Sequence, residues 1–191
     1  MIGLMMVAAV MAQEWKPLTD WKPTGFSGAG RVVWEGRKVE MGAGAPMTGI
    51  TAGSFAAKTG YEIRFKATRL MGNDFFCSLT FPYGDTHATW VNGGWGGDIV
   101  GISSIDNWDA SENETRTYFQ FENGREYSFR LEVKPGTIRA YIDERKVVDL
   151  AVNGRTVGLR RGMAATVPLS LFGYNTVAAI REIEYRELAS R

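Results

Sequence analysis

One cysteine and one histidine are all that this chain of 191 residues contains. A single thiol, Cys77, excludes an intrachain disulfide. Together with the single imidazole, His87, it also excludes a Cys/His zinc cluster, which needs four such ligands. Cys77 lies in the apolar run Phe75–Phe81, where a free thiol packs as a small hydrophobe. An excess of charge of one sign is also missing, since 22 Lys and Arg face 21 Asp and Glu. With no basic block there is no electrostatic footprint for nucleic acid. No fixed-period repeat, low-complexity run or linker interrupts the sequence. Nor is there an apolar run of the roughly 20 residues that a membrane-spanning helix needs. The uncharged stretch Met1–Ala12 is too short for that. It ends in Val10-Met11-Ala12, whose small first and third residues suit signal-peptidase cleavage before Gln13. The expectation is a leader over 1–12, a secreted or periplasmic protein, and one domain over 13–191. The alternative for 1–12 is an apolar N-terminal strand.

What the chain does have is glycine, 23 residues of it, punctuating short apolar runs. That pattern favours many turns and an all-β protein. Tyr61, Ile63, Phe65 and Ala67 alternate with Glu62, Arg64 and Lys66, the period of a half-buried strand. Phe75–Phe81 is apolar on both faces and reads as a central strand. Tyr127–Val133 alternates again, Pro135-Gly136 marks a turn, and Ile138, Ala140 and Ile142 continue the pattern. Asp143-Glu144-Arg145 then turns into Lys146–Leu150, which makes an antiparallel meander. Trp15–Gly30 reads as irregular. Thr176–Leu188 fits either a helix face or a strand, and the strand pairing near the N-terminus is preferred. About ten short strands imply a sandwich of two antiparallel sheets.

The segment Trp90–Thr115 carries three of the six tryptophans, five glycines and a run of acids, directly after His87. Glycine-rich backbone bearing indoles and carboxylates suits a face that meets a polar ring. Apolar ring faces stack on indole, and hydroxyls bond to carboxylates and amides. Trp95, Trp108 and Asn92 are therefore the expected sugar-binding residues, with Trp90 assigned to the core. Asp106, Asn107, Asp109, Glu112 and Asn113 form a dense set of oxygen ligands, so Asp106, Asp109 and Glu112 are candidate ligands for a divalent cation such as calcium. The spacing lacks the glycine and terminal glutamate of an EF-hand, and an Asx-rich turn is the alternative. Asn113-Glu114-Thr115 matches a glycosylation sequon.

The order of features resembles a known family. Val32–Met41 (VVWEGRKVEM) is followed by YEIRFKATRLMGNDFFCSLTF, the Gly-Gly-Trp-Gly-Gly loop, REYSFRLEVKPGTIRAYIDERKVVDL and a closing AAIREIEYREL. This looks like the 3-keto-disaccharide hydrolase domain family over roughly Trp15–Leu188. The resemblance implies a concanavalin A-like jelly roll, export, and work on glycosides by hydrolysis or elimination. The chain departs from the family pattern in three places. It has Asn73-Asp74-Phe75-Phe76 where many relatives carry Asn-Ser-Gly-Ile, it has no Glu-x-Gln strand after it, and its late turn is Asp143-Glu144-Arg145.

Elimination from a 3-keto sugar needs a base for the carbon-2 proton and a group to hold the enolate oxygen. His87 is the one imidazole base, and Asp98 is its expected partner, with Asp85, Asp106 and Asp109 also available. A surface-turn histidine and solvated loop acids are the plain alternatives. An ordinary glycosidase would need two carboxylates flanking the bond. No Glu-x-Asp-x-Glu strand occurs, and Glu182-Ile183-Glu184 is only a partial echo of one. The sequence thus supports three functions: cleavage of a keto-glycoside, noncatalytic binding or adhesion to carbohydrate, and contact with another protein through the aromatic patch.

Overall fold

The computed structural model describes residues 13–189, so the leader expected over 1–12 lies outside the described residues. Fifteen strands follow in chain order: β1 (Lys16–Pro17), β2 (Trp21–Pro23), β3 (Val32–Glu35), β4 (Lys38–Met41), β5 (Met47–Ala52), β6 (Tyr61–Met71), β7 (Ser78–Tyr83), β8 (Thr86–Gly94), β9 (Ile99–Ser103), β10 (Thr117–Tyr118), β11 (Glu126–Lys134), β12 (Thr137–Ile142), β13 (Arg145–Ala151), β14 (Ser170–Tyr174) and β15 (Val177–Glu187). Among the described residues the one helical piece is a single 3₁₀ turn, Ala164–Thr166.

The strands form two antiparallel sheets. The first runs β13-β12-β11-β6-β15-β4-β3, with β1 also on β15, and the second runs β10-β9-β8-β7-β14-β5-β2. Late strands sit inside both sheets, β15 between β6 and β4 and β14 between β7 and β5. The chain therefore forms a concanavalin A-like jelly roll, an all-β sandwich of two antiparallel sheets.

Alternation decides which face of each strand is buried. On β6 and β11, Phe65 pairs with Phe129 and Ile63 with Leu131, so the apolar members of both strands enter the core together. The rings of Phe65 and Phe129 stack at 4.9 Å, and Trp90 from the opposite sheet meets Phe129 edge-on at 5.7 Å. Trp90 is fully buried, in agreement with its core assignment. Cys77 is buried too, and burial pushes its thiol well above the usual range. Full burial of one such aromatic contributes about 2–3 kcal/mol.

The meander expected from Tyr127 to Leu150 is β11-β12-β13, and the C-terminal segment is a strand that pairs with β1. Two expectations are corrected. Residues 15–30 are not wholly irregular, since β1 and β2 each find a partner strand. The strand expected over Phe75–Phe81 starts only at Ser78. The Phe75 carbonyl is turned aside to accept bonds from Tyr174 N and Thr176 Oγ1, which bends Asp74–Cys77 into a loop.

The two outer faces differ in chemistry. The first sheet shows a lattice of charges, in which Arg130 and Arg186 hold the buried Glu62 carboxylate. The second sheet carries a stripe of hydroxyls. Ser103, Thr89, Thr80, Ser170 and Thr51 occupy facing positions on five successive strands. Four of them are buried and Thr51 is half-buried. Thr166, in the segment between β13 and β14, reaches into this stripe and bonds Thr80 Oγ1 at 2.9 Å. The middle of this face is thus occupied by the protein's own chain, and open surface remains only toward its ends.

Candidate functional site

The expected pair His87 and Asp98 is not brought together. His87 is the second residue of β8, opposite Pro82, while Asp98 lies past the other end of that strand, in the turn to β9. Six residues of strand lie between His87 and Gly94, which sets them roughly 23 Å apart. His87 borders a hollow of about 210 Å³ with Phe55, Pro82 and Pro168. Burial there lowers its pKa and favours the neutral imidazole. Asp85, close to it in sequence, is engaged by Lys58. Asp98 uses its backbone carbonyl to accept a bond from Phe119 N at 2.8 Å.

The expected cation ligands separate as well. Asp106 Oδ1 accepts the Thr156 N–H at 2.7 Å, and its Oδ2 accepts from Arg155 Nε. Arg155 also holds Glu114, and these bonds draw both carboxyls below their usual range. Asp109 pairs with Arg160 at 3.1 Å, while Glu112 is exposed. Arginine therefore supplies the neutralising charge, and among the described residues no three His, Cys, Asp or Glu side chains converge on a metal position. The Asx-rich turn is the reading that fits, with Asp106 and Asn107 both at positive φ. Asn113 is spent within that turn. Its Nδ2 donates to the carbonyls of Ile102, Trp108 and Asp109, and its Oδ1 accepts from Thr115.

Asn92 is corrected too. It is fully buried, and its Nδ2 donates to the Cys77 carbonyl at 3.3 Å, so no ligand reaches it. Trp108 is 57% exposed, but it lies outside the cleft that Trp95 borders.

In that cleft, of about 440 Å³, the expected Trp95 meets residues that were not expected. Trp95 forms one wall and is 42% exposed. Its position depends on the glycines around it. Trp95 itself has φ 51°, and Gly93, Gly96 and Gly97 lie at φ 83°, 96° and 119°. This is left-handed backbone, which glycine enters without a Cβ penalty. Gly97 also packs so closely on the Asn73 carbonyl that an added Cβ would overlap it. Phe75 and Tyr174, whose rings lie 5.5 Å apart, also line the cleft. Asp74, Arg160 and Arg161 supply the polar groups, and the Arg160 guanidinium sits 5.5 Å from the Trp95 ring centre.

Arg69 fixes the loop that presents Asp74 and Phe75. It is 6% exposed and donates to Asn123 Oδ1 and to the Phe121 carbonyl, each at 2.6 Å, and to the Asp74 carbonyl at 3.4 Å. Burial lowers its pKa, partly offset by nearby groups, and a guanidinium remains charged regardless. The chemistry on offer is ring stacking, one acceptor carboxylate and two guanidinium donors. Asp74 is the one carboxylate lining the cleft, so the pair needed for ordinary glycoside hydrolysis is not present there.

Of the residues expected from the sequence to bind sugar, Trp95 lines this cleft, whereas Asp74, Phe75, Tyr174, Arg160 and Arg161 were not among them. The departure at Asn73–Phe76 marked two of them without giving their role. The adjacent Arg160-Arg161 carried no periodic signal.

Comparison with solved structures places the fold. The carbohydrate binding module CBM66 from Bacillus subtilis superposes with a TM-score of 0.57 at 12% identity, over 89% of this chain and 97% of that one. The Crh5 transglycosylase in complex with NAG gives 0.62 at 14%, over 94% and 85%. Domain 4 of AbnA, a GH43 extracellular arabinanase from Geobacillus stearothermophilus in complex with arabinotriose, gives 0.56 at 12%, over 90% and 84%. The likeness is one of fold. No family model matches the chain, and no curated protein matches it. No helix among the described residues is long and apolar enough to cross a membrane.

Proposed function

We propose that this is an exported carbohydrate-binding domain that holds a saccharide in the Trp95 cleft without cleaving it. The observation that carries this reading is the cleft itself, lined by an exposed indole, two further aromatic rings, one carboxylate and two guanidinium groups. Its volume falls in the range of ligand sites, about 300–1,000 Å³. Solved structures of the same fold support a saccharide as the ligand: one is a carbohydrate binding module, one is a transglycosylase in complex with NAG, and one is a domain of an arabinanase in complex with arabinotriose.

Cleavage of a 3-keto-glycoside is the competing function, carried by the resemblance in sequence order. It receives less support from the site. The His87 hollow of about 210 Å³ is below the size of a ligand site, and none of the candidate acids borders it except Asp85, which Lys58 engages.

The test is titration calorimetry against arabinotriose, N-acetylglucosamine trimer and a panel of plant and microbial polysaccharides, using the chain with Trp95 and the Trp95→Ala variant. Incubation with 3-keto-glucosides, with and without EDTA, runs beside it. Binding that weakens about tenfold in the variant, with no turnover, supports the proposal; tenfold corresponds to about 1.4 kcal/mol of lost stacking. Turnover of a keto-glucoside that His87→Asn abolishes would replace it with the enzyme.

A further inference from the structure

A second pocket of about 370 Å³ lies in the edge of the first sheet, away from the Trp95 cleft. Its origin is a gap in strand pairing along β15. Ala178–Arg181 pair with β4, while Glu184 and Tyr185 pair with β1. Between them the register shifts, and Glu182 takes φ 53°. A glutamate rarely adopts that conformation, which persists only where neighbours enforce it. Two strands that stop short on one edge leave an opening where a continuous strand would have filled it.

The lining has the complement of a sugar site. Trp34 on β3 is 40% exposed and forms one side. Trp21 and Leu18 form an apolar floor, with the Trp21 indole N–H donating to the Leu18 carbonyl at 3.2 Å. Glu182 and Glu184 supply acceptors, and Arg37 supplies donors. Lys66 and Arg181 engage Glu182, and Arg64 engages Glu184. Each carboxylate has about four acceptor sites, so both keep capacity toward the pocket. Arg37 is exposed and has no carboxylate partner among the described residues. Each glutamate is paired with a cation, so the lining offers carboxylate acceptors beside the Arg37 donor, the complement of a hydroxylated ring. Indole, acceptors and a free guanidinium favour an uncharged polyhydroxylated ring.

The two openings lie at opposite ends of β5. Met47, its first residue, borders the Trp95 cleft. Ala52, its last, pairs with Trp21 of the second pocket. We infer that the Trp34 pocket is a second saccharide site, taking a neutral sugar unit, so that one domain grips carbohydrate at two separate points. The inference rests on the carbohydrate reading of the Trp95 cleft. Two sites on one body raise apparent affinity for a polymer without any new contact, by making the second binding step intramolecular.

Indole N–H resonances provide the test, since each tryptophan reports its own surroundings. Signals are assigned with Trp34→Phe and Trp95→Phe. The protein is then titrated with N-acetylglucosamine hexamer and, separately, arabinohexaose. The expected result is a shift of both indoles with one of these sugars. Trp34→Ala should leave the Trp95 titration unchanged and lower apparent affinity for an insoluble polymer of the same sugar about tenfold. A shift confined to Trp95 overturns the second site and leaves the first. No shift at either indole overturns both. Because Trp34 is half exposed on an edge strand, the variant's unchanged Trp95 response also reports that it is folded.

Discussion

Arg69 and Trp95 do different work in the same cleft. Trp95 offers an exposed face to a ligand, whereas Arg69 touches none of the open space and holds the backbone that presents Asp74. Removing the guanidinium in Arg69→Ala leaves the Phe121 carbonyl and the Asn123 amide without their buried partner. The expected loss is about 2–3 kcal/mol of stability in urea denaturation, with weaker glycan binding at temperatures where the variant stays folded. His87 acts on stability through its protonation. Burial lowers its folded pKa below the ordinary 6.5 or so of the unfolded chain. Its contribution is therefore present above about pH 6.5 and is lost as the pH falls through the lowered folded value, where the unfolded state takes up the proton first. Thermal melting between pH 7.5 and pH 5 should show this slope, and His87→Asn should remove it. At this scale the sequence was informative about Trp95, because an indole among glycines has little to pack against. It was silent on Tyr174 and Arg160, which reach Trp95 only through pairings made far apart in the chain.

Among the elements, alternation was the reliable signal. β6 and β11 each show a period of two over at least seven residues, and their pairing follows from it. Phe75 misled because its apolar neighbours suggest a strand, while two bonds to its carbonyl from Tyr174 and Thr176 bend the chain there. The acidic stretch misled in another way. Oxygen ligands dense in sequence suggest a cation, but Arg155 and Arg160, some fifty residues later, reach the same acids. Thr166, in the segment before β14, reaches the hydroxyl stripe of the second sheet. Thr166→Val keeps the shape and removes the hydroxyl that bonds Thr80 at 2.9 Å and the Met163 carbonyl at 2.6 Å. The expected cost is about 1–2 kcal/mol, measured as a shift of the urea midpoint at unchanged slope. A variant as stable as the parent would mean that the segment is held by other contacts.

For the whole molecule, the sandwich explains why the Trp95 cleft opens toward an end of the second sheet and not across its middle. A face lined by paired hydroxyls and covered by its own chain leaves a ligand the rim, where Trp95, Phe75 and Tyr174 meet. The two-sheet fold was legible from turns and alternation, whereas the cleft was not, because it is assembled from five separate segments. The most direct test of the carbohydrate-binding proposal is calorimetric titration of the glycan panel into the protein and into Trp95→Ala. The account predicts saturable binding of at least one glycan, about tenfold weaker in the variant, with the glycan recovered intact. Absence of binding across the panel, equal affinity in the two proteins, or recovery of cleaved product would contradict it.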